Sequence, residues 1–420
     1  MKSPLEQFTG PCSCGKIHEM DTKEVWIEQD GAAKLKELLE EGMLKSFRKP
    51  VILSDTNTNT AAGDRIGRIC KIPSAVLPAV GLHADNHGVA LAQEKLPSDA
   101  GLILAVGSGT IHDIARYVAH ARGISFVSVP TAASVDGFVS SVAAMTWDGF
   151  KTTLPAVSPV CVVADVTVIS RAPYRLTASG VSDLLGKYTA LTDWKISHLL
   201  TGEYICENIC RYEMEAVNEV RDAAHGLREG CEDAYEKLIY ALILSGIAMQ
   251  LCGNSRPASG AEHHMSHLWE MEILNPALDA YHGEKVSLGL LQVIREYEKL
   301  RLAIESKSCT VHAYEGLPMD FLRETFGIKD RMEGILRENT PDPCLLVPEQ
   351  RLREKLPEIA AVLAELPDAN MLTGLMKRAG CVHSPEEIGL DPELIPVSLR
   401  LSPFVRNRLT LMRIINGFFR

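Results

Sequence analysis

An uninterrupted apolar run, GLILAV at residues 101–106, constrains the fold more than any other feature of the chain. A strand that is apolar at every position is buried on both faces, which is typical of a parallel sheet covered by helices on both sides. Segments with helical spacing at residues 61–72 and 111–121 alternate with further predicted strands. Those strands are residues 49–54, 75–80, 124–129 and 160–165. The alternation predicts an α/β region whose parallel strands are joined by right-handed crossovers.

The pattern changes near residue 172, beyond which helical spacing dominates and strand signals are almost absent. The predicted helices there are residues 183–199, 211–231, 234–252, 261–273 and 286–304, followed by several shorter segments up to residue 420. A chain of 420 residues exceeds the usual size of a single hydrophobic core. We therefore predict two domains, a nucleotide-binding α/β domain over residues 1–170 and a helical metal- and substrate-binding domain over residues 171–420.

Composition and charge narrow the classes of function and the compartment. The formal net charge of −11 argues against a nucleic-acid partner. Residues 1–20 hold no apolar run of signal-peptide length. No segment approaches the roughly 18 consecutive apolar residues of a membrane helix, so we expect no membrane span. The 11 cysteines are scattered and odd in number, which fits a reducing cytoplasm better than a disulfide framework.

A glycine-containing turn follows the apolar strand and precedes a predicted helix. Gly107, Ser108 and Gly109 stand where a dinucleotide-binding backbone approaches the pyrophosphate, at a helix N-terminus that favours negative charge. The complete fingerprint has a third glycine at the position of His112, so the motif is incomplete. A tight strand-to-helix turn without a ligand is an equally good interpretation of these residues alone.

Hydroxyl and carboxylate side chains follow two other predicted strands, at the sheet edge where ligands bind in such folds. Thr131, Ser134 and Ser140 come after the strand ISFVSV, and their hydroxyls are suited to phosphate or ribose. Asp136 could hold a substrate hydroxyl, and Asp55 a ribose hydroxyl. A polar loop around Asp136 and a helix-capping role for Asp55 are the structural alternatives.

Three residues on separate segments form a candidate set of metal ligands, namely Asp183, His263 and His282. One carboxylate and two imidazoles suit a catalytic divalent metal with an open position better than a closed structural site. Asp183 could instead pair with Lys187, four residues later, as a salt bridge on one helix face.

The segment EHHMSH concentrates three histidines within five residues. His263 and His267 share one face of the predicted helix, whereas His264 lies about 100° around it. His263 and His267 could both bind one metal, or one could bind the metal while the other contacts substrate or nicotinamide. A single histidine is more often a hydrogen-bonded core or surface residue, but this clustering favours function.

The N-terminal segment CSCGKIH resembles a fragment of a zinc site. It offers the thiols of Cys12 and Cys14 and the imidazole of His18. The two cysteines are closer together than in the usual knuckle, which has two residues between them. We therefore expect an exposed N-terminal segment rather than a metal site.

Together, six segments resemble the sn-glycerol-1-phosphate dehydrogenase family, within the group of iron-type alcohol dehydrogenases, glycerol dehydrogenases and dehydroquinate synthases. They are GSGTIHDIARYVA, SVPTAASVDGFVSS, GVSDLLGKYTALTDW, SRPASGAEHHMSHLWEM, HGEKVSLG and RNRLTLMRIIN. The resemblance extends from about Asp55 to Asn416. It implies an α/β N-terminal Rossmann-like domain plus an all-α C-terminal domain, with the active site in the cleft between them.

The resemblance also implies roles for individual residues. NAD(H) or NADP(H) is expected at Gly107, Ser108, Gly109, Thr110, Ile111, Thr131, Ser134 and Ser140. One divalent metal, which could be zinc, nickel or iron, is expected at Asp183, His263 and His282. The substrate is expected near Asp136 and His267, with Asp183 also in contact.

The implied reaction interconverts dihydroxyacetone phosphate and sn-glycerol 1-phosphate. The metal would polarise the C2 oxygen, the nicotinamide would exchange hydride with C2, and His267 or water would relay the proton. A polyol dehydrogenase without phosphate preference, a dehydroquinate-synthase-like lyase and a non-catalytic sugar-phosphate sensor are the alternatives. The sensor would be expected to have a broken metal triplet, whereas all three ligands are present. We also expect a homo-oligomer, since the helical domain is large enough to offer a dimer surface.

Overall fold

The computed structural model of the protein describes residues 5–329 and 331–419. The chain forms two compact units. The first contains Met1–Leu184 and Asn218–Asn254, and the second contains Leu185–Val217 and Ser255–Arg420. It stays a prediction that residues 1–170 bind the nucleotide and that residues 171–420 bind the metal and the substrate.

Within the described residues, the strands all lie in the first unit. They are β1 (Gly10–Pro11), β2 (Ile17–His18), β3 (Glu24–Glu28), β4 (Pro50–Asp55), β5 (Ser74–Leu77), β6 (Leu102–Gly107), β7 (Ser125–Pro130), β8 (Val142–Trp147), β9 (Phe150–Pro155) and β10 (Cys161–Asp165).

The α-helices become the dominant element after residue 165. They are α1 (Gly31–Glu40), α2 (Thr56–Thr58), α3 (Asp64–Cys70), α4 (Asn86–Lys95), α5 (Gly109–Arg122), α6 (Val166–Ile169), α7 (Tyr174–Leu185), α8 (Lys187–Thr201), α9 (Glu207–Arg228), α10 (Glu232–Cys252), α11 (Ala261–Glu270), α12 (His282–Glu305), α13 (Met319–Phe326), α14 (Met332–Glu338), α15 (Glu349–Glu354), α16 (Leu356–Leu363), α17 (Ala369–Ala379), α18 (Ile395–Leu401) and α19 (Leu411–Phe418). An α/β N-terminal region followed by a helical C-terminal region confirms the predicted fold class.

Six strands form one parallel sheet in the order β3-β10-β7-β6-β4-β5. The five strands predicted from sequence are all in this sheet, so both their existence and their parallel pairing are confirmed. Strand β3, an edge strand of five residues, EVWIE, with a glutamate at each end, is not predicted from the sequence. The antiparallel pair β8-β9 is not predicted either, and its turn at Asp148 and Gly149 has positive φ angles of 49° and 75°. The Asp-Gly dipeptide is a strong hairpin signal in a sequence.

Alternate residues of β6 enter the cores on opposite faces of the sheet. Ile103 and Ala105 belong to the core that contains α4 and α5, whereas Leu102 and Leu104 belong to the core that contains α1 and α3. This two-sided burial explains why the strand is apolar at every position. The central strands β4, β6 and β7 are neighbours, so their carboxyl ends meet at one edge of the sheet.

The second unit has its own core, to which α8, α11, α12, α16 and α19 contribute. Helices α11 and α12 approach closely because α12 carries Gly289 at the contact. A Cβ atom at that position would lie 2.6 Å from the carbonyl oxygen of Glu262 and 3.0 Å from Cβ of Met265. The close approach brings histidine-bearing parts of the two helices together.

Residues 183–199 are predicted as one helix but form parts of two. Helix α7 ends at Leu185 and α8 begins at Lys187, because Gly186 between them is a poor helix former. Asp183 and Lys187 therefore lie on different helices, and Lys187 Nζ donates a hydrogen bond to the carbonyl of Ala258 at 3.0 Å. The alternative salt bridge between Asp183 and Lys187 assumed that both residues lie on one helix, and they do not.

Among the described residues, α10 is the single helix that is long and apolar enough to cross a membrane. Its most apolar window is 72% buried inside the protein. Core helices of soluble proteins pass the same test of length and composition, so α10 is weak support for a membrane span.

Candidate functional site

Three imidazole rings gather in the second unit. His263 and His267 lie one turn apart on α11, and His282 is the first residue of α12. The ring centroids are 5.2 Å apart for His263 and His282, 5.9 Å for His267 and His282, and 6.1 Å for His263 and His267. Two consecutive helices thus bring together three side chains that are able to bind a metal.

Each of the two predicted histidine ligands donates its Nδ1 hydrogen to a carboxylate. His263 Nδ1 lies 2.6 Å from Oε1 of Glu262, and His282 Nδ1 lies 2.9 Å from Oε1 of Glu270. A carboxylate partner on one ring nitrogen fixes the tautomer and orients the other nitrogen, which is the usual support of a metal-binding histidine. The lone pair of each neutral ring is therefore on Nε2, the atom that the predicted metal would bind.

The spacing of these two rings also fits a shared ion. A tetrahedral zinc ion about 2.0–2.1 Å from each Nε2 would place the two ring centroids about 5 Å apart. The observed separation of 5.2 Å between His263 and His282 matches this distance. Neutral imidazoles with carboxylate support suit zinc, nickel or iron.

The two supporting glutamates are themselves held by hydrogen bonds. Glu262 accepts from the backbone N–H of Gly260 at 2.6 Å and from the hydroxyl of Thr189. Burial raises the pKa of Glu262, but its bonds to His263, Thr189 and Gly260 outweigh this effect and hold the pKa below its ordinary value. A carboxylate held in its charged form is a strong acceptor for an imidazole N–H.

Glu270 is flanked by both neutral and positive groups. It accepts a hydrogen bond from Ser266 Oγ at 3.3 Å, and Lys285 Nζ lies 3.6 Å away. Neither glutamate is predicted from the sequence as a supporting residue. The signal that could have found them is their position, since Glu262 precedes His263 directly and Glu270 comes one turn after Ser266 on the same helix.

His264 has a different environment from its neighbours. The side chain is buried, and neither ring nitrogen makes a hydrogen bond within the described part of the chain. Burial, together with the positive charges of Arg408 and other arginines, holds the pKa of His264 well below its ordinary value. His264 has no carboxylate partner, whereas His263 has Glu262 at Nδ1, and this difference favours His263 as the predicted ligand.

In the first unit, Asp183 and Asp136 are hydrogen bonded to each other. The backbone N–H of Asp136 donates to Oδ2 of Asp183 at 3.0 Å. The side chain of Asp136 accepts from Ser245 Oγ on α10 at 3.0 Å. One turn before Asp183, Ser179 Oγ donates to the carbonyl of Ser134 at 3.1 Å. Helices α7 and α10 thus hold the loop after β7, and the structure brings these predicted residues together.

The predicted nucleotide turn joins β6 to α5. Gly107 ends the strand, and Ser108 is the N-cap of a helix of 14 residues that begins at Gly109. A Cβ atom at Gly107 would lie 2.5 Å from Cβ of Ile111, so the turn requires glycine. The backbone N–H of Thr131 donates to the carbonyl of Gly107 at 3.0 Å, which joins the two predicted nucleotide segments.

His112, at the place of the missing third glycine, is a buried structural residue. Its Nδ1 donates to the carbonyl of Ser108 at 2.9 Å, so Nε2 accepts from the hydroxyl of Ser128 at 2.8 Å. Burial lowers the pKa of His112 to about 3, with a smaller contribution from the positive charge of Arg116. The neutral imidazole links the nucleotide turn to β7.

Arg116 is a residue that the sequence analysis missed. Its buried guanidinium donates to the carbonyls of Ser140 at 2.7 Å and Val142 at 3.1 Å, and also to that of Gly137. It therefore fixes the backbone of the segment that follows Asp136.

Two predicted nucleotide residues also have local structural roles. Asp55 is the N-cap of α2 and accepts from the backbone N–H groups of Asn57 at 2.8 Å and Thr58 at 2.9 Å. Ser140 Oγ accepts from the N–H of Val142 at 3.2 Å. Asp55 therefore has the helix-capping role that was considered as its structural alternative. Contact of Asp55 or Ser140 with a nucleotide stays a prediction.

Asp193, also missed, joins three helices of the second unit. It accepts from the N–H of Ala261 at 2.8 Å, the hydroxyl of Tyr297 at 2.5 Å and the N–H of Leu411 at 2.7 Å. Burial and the negative charge of Glu262 raise the pKa of Asp193 to about 7. The network anchors the first residue of the histidine-bearing helix α11.

Comparison with known proteins identifies relatives over the whole chain. The family model described as iron-containing alcohol dehydrogenase matches residues 26–173. A glycerol-1-phosphate dehydrogenase (NAD(P)+) of Bacillus licheniformis is 33% identical, with 99% of this chain and 94% of that protein covered. The enzyme of the same description from Thermococcus kodakarensis is 40% identical over 53% of this chain and 64% of that protein.

Solved structures share the fold at lower identity. A probable glycerol dehydrogenase from Sinorhizobium meliloti superposes with a TM-score of 0.54 at 20% identity, covering 92% of this chain and 98% of that one. The near-complete alignment with the Bacillus protein and the match to the family model agree with the resemblance drawn from the motifs. The chain belongs to the glycerol-1-phosphate dehydrogenase family of the iron-containing alcohol dehydrogenases.

Proposed function

We propose that this protein is a metal-dependent, NAD(P)-linked dehydrogenase that interconverts dihydroxyacetone phosphate and sn-glycerol 1-phosphate. The observation that carries the proposal is the pair of imidazoles of His263 and His282, each with a carboxylate at Nδ1 and with centroids 5.2 Å apart. The similarity to glycerol-1-phosphate dehydrogenases over 99% of the chain supports the choice of substrate.

His263 and His282 would hold the metal through Nε2, and Asp183 would add a carboxylate oxygen. When bound, the metal supplies Lewis acidity, which polarises the C2 oxygen of the substrate and stabilises the alkoxide. The glutamates at Nδ1 fix the tautomer and the orientation of both imidazoles, so that little reorganisation is needed during the reaction. The backbone N–H of Asp136 holds one oxygen of Asp183 in place at 3.0 Å.

The N-terminus of α5 would receive the pyrophosphate of the nucleotide. Gly107, Ser108 and Gly109 lie at the N-terminal, positive end of a helix of 14 residues, where backbone N–H groups favour a phosphate. The bound reduced nicotinamide supplies the hydride for C2. Thr131 and Ser134 would line the same sheet edge, with Ser140 and Asp55 further contacts.

Asp136 and His267 are the proposed substrate residues. The carboxylate of Asp136 is set by Ser245 and can accept a hydrogen bond from a substrate hydroxyl. His267 lies beside the proposed ligand His282, with ring centroids 5.9 Å apart, so its imidazole would be near a substrate oxygen held by the metal and could exchange a proton with it.

The test follows the absorbance of reduced nicotinamide with dihydroxyacetone phosphate, and in reverse with sn-glycerol 1-phosphate and with glycerol. We expect turnover with the phosphorylated substrates and little with glycerol. The variant His263→Ala should lose both metal and activity, whereas the matched variant His264→Ala should keep its metal. A preference for glycerol would support a polyol dehydrogenase, and nucleotide binding without turnover would support a sensor.

We further propose that the enzyme is a cytoplasmic homo-oligomer. The cysteines are not joined by disulfides in the part of the chain that the structure describes, which supports a reducing compartment. Light scattering of the purified protein measures the mass in solution, and a value of one chain, 46.0 kDa, would contradict the oligomer.

A further inference from the structure

The N-terminal segment forms a small hairpin that places two thiols and an imidazole close together. Strands β1 and β2 pair antiparallel, with Gly10 opposite His18. The backbone N–H of Cys12 donates to Lys16 O at 2.9 Å, and the N–H of Gly15 donates to Cys12 O at 3.0 Å. Gly15 has φ of 85°, a conformation that glycine adopts readily. The turn thus carries Cys12 and Cys14 in a hairpin whose second strand ends at His18, and the ligand atoms of these three residues lie within 4.8 Å of one another.

His18 is buried, with 5% of its surface exposed. Its Nδ1 lies 3.0 Å from the carbonyl oxygen of Leu251, which can only accept, so Nδ1 carries the proton. Nε2 therefore presents its lone pair, and it lies 3.4 Å from Sγ of Cys14. Cys12 and Cys14 are half-buried. The sequence-based expectation of an exposed N-terminal segment is wrong for His18, whose ring is buried and hydrogen bonded to Leu251 near the end of α10.

This arrangement has the features of a metal-binding histidine and thiol. A backbone carbonyl at Nδ1 is a common support for an imidazole ligand. In a tetrahedral zinc site, sulfur at about 2.3 Å and nitrogen at about 2.0–2.1 Å from the metal lie about 3.5 Å from each other. The observed distance of 3.4 Å between Cys14 Sγ and His18 Nε2 fits that geometry.

We propose that Cys12, Cys14 and His18 bind a zinc ion at a site separate from the histidines of α11 and α12. Thiolate ligands select zinc over harder ions, in contrast to the oxygen and nitrogen ligands proposed for the catalytic metal. Water or another side chain completes the coordination. Binding releases the thiol protons of Cys12 and Cys14, since the thiolate is the ligand form.

The ion has a structural role in the first unit, because the hairpin is attached to the end of α10. The side chain of Gln250 accepts from the N–H of Asp21 at 3.2 Å and donates to Thr22 Oγ1 at 2.8 Å and to the carbonyl of Val139. The same helix carries Ser245, the partner of Asp136. Zinc at the hairpin thus stabilises the helix end that holds the loop containing Asp136.

The decisive experiment is X-ray absorption spectroscopy at the zinc edge on full-length protein reconstituted with zinc. We expect sulfur scattering at about 2.3 Å, which a site of one carboxylate and two imidazoles cannot produce. Each of the variants Cys12→Ser and Cys14→Ser should show half of the sulfur signal or none of it. Each should also contain up to one zinc ion fewer per chain and have a lower thermal midpoint of unfolding. The control Cys231→Ser, at an exposed cysteine, should change none of these.

A second measurement on the unaltered chain covers the case in which the variants fail to fold. Alkylation followed by peptide mass spectrometry should show Cys12 and Cys14 protected in zinc-loaded protein and modified after chelation, with Cys231 modified in both. Absence of sulfur scattering, or equal alkylation with and without zinc, overturns the proposal. Because neither readout uses turnover, His282→Ala should retain the sulfur signal even where the dehydrogenase proposal fails.

Discussion

Gly180 offers a sensitive test of how the first unit positions Asp183. It lies on α7 against the loop after β7, and a Cβ atom there would stand 2.1 Å from the carbonyl oxygen of Ala133. The neighbouring contacts are the hydrogen bonds from Ser179 to Ser134 and from the N–H of Asp136 to Asp183. A methyl group at Gly180 therefore acts on the segment that orients Asp183 and Asp136.

The size of the effect follows from the distances. Ordinary contact begins at 3.4 Å, so in Gly180→Ala the separation from Ala133 O must increase from 2.1 Å to about that value. A shift of this size breaks the 3.0 Å bond between Asp136 and Asp183. Misplacement of a catalytic group by about 1 Å costs about 100-fold in rate, and overpacking costs about 1–3 kcal/mol of stability. We expect kcat/KM to fall about 100-fold and metal affinity to fall with it.

The assay is steady-state reduction of dihydroxyacetone phosphate, with metal content measured on the same samples. Gly374→Ala is the matched control, because the nearest atom to its Cβ position is the end of the Arg378 side chain at 3.5 Å. Alanine there should leave activity unchanged and add up to about 1 kcal/mol of helix stability. If Gly180→Ala keeps wild-type kcat/KM and metal content, the proposed coupling between α7, the loop and Asp183 is wrong.

Three further substitutions test separate parts of the account. Glu270→Ala removes the acceptor at a ligand histidine and should weaken metal binding about 10- to 100-fold in a competition titration, whereas the exposed Glu324→Ala should not. His112→Gln tests pH dependence: the folded pKa of about 3 lies below the ordinary 6.5. Between these two pKa values His112 is protonated in the unfolded chain but not in the folded protein. Its contribution to the free energy of unfolding is therefore fully present above pH 6.5 and decreases by about 1.4 kcal/mol for each pH unit below 6.5. The variant should lose less thermal stability than wild type between pH 7.5 and 5, and an equal loss would contradict the assignment. Ser245→Ala removes the partner of Asp136 and should raise KM for the triose phosphate with little change in nicotinamide affinity, and an unchanged KM would argue against that role.

The parts of the fold that the sequence predicts are those set by local pattern. The strand GLILAV is apolar throughout because Leu102 and Ile103 enter cores on opposite faces of the sheet, and this two-sided burial is visible in the residue order. The helix break also has a local signal, the glycine at position 186, and the hairpin has one in the dipeptide Asp148-Gly149. Both signals are hidden by the periodicity of the surrounding segments.

The supporting residues of the site could not be predicted because they depend on tertiary contacts. Nothing in the sequence near Arg116 indicates that its guanidinium holds carbonyls more than 20 residues away. In the same way, Asp193 meets Tyr297 and Leu411 across more than 100 residues of chain. The two predicted histidine ligands could be identified because His263 lies in a local cluster of three histidines and the family motif HGEK contains His282.

Removal and return of the metal tests the central claim most directly. The wild-type protein is treated with a chelator, dialysed, and assayed for oxidation of reduced nicotinamide by dihydroxyacetone phosphate before and after addition of zinc, nickel or iron. The account predicts that turnover is lost on chelation and returns when a divalent metal is restored to His263, His282 and Asp183. Full turnover by the metal-free protein would contradict it.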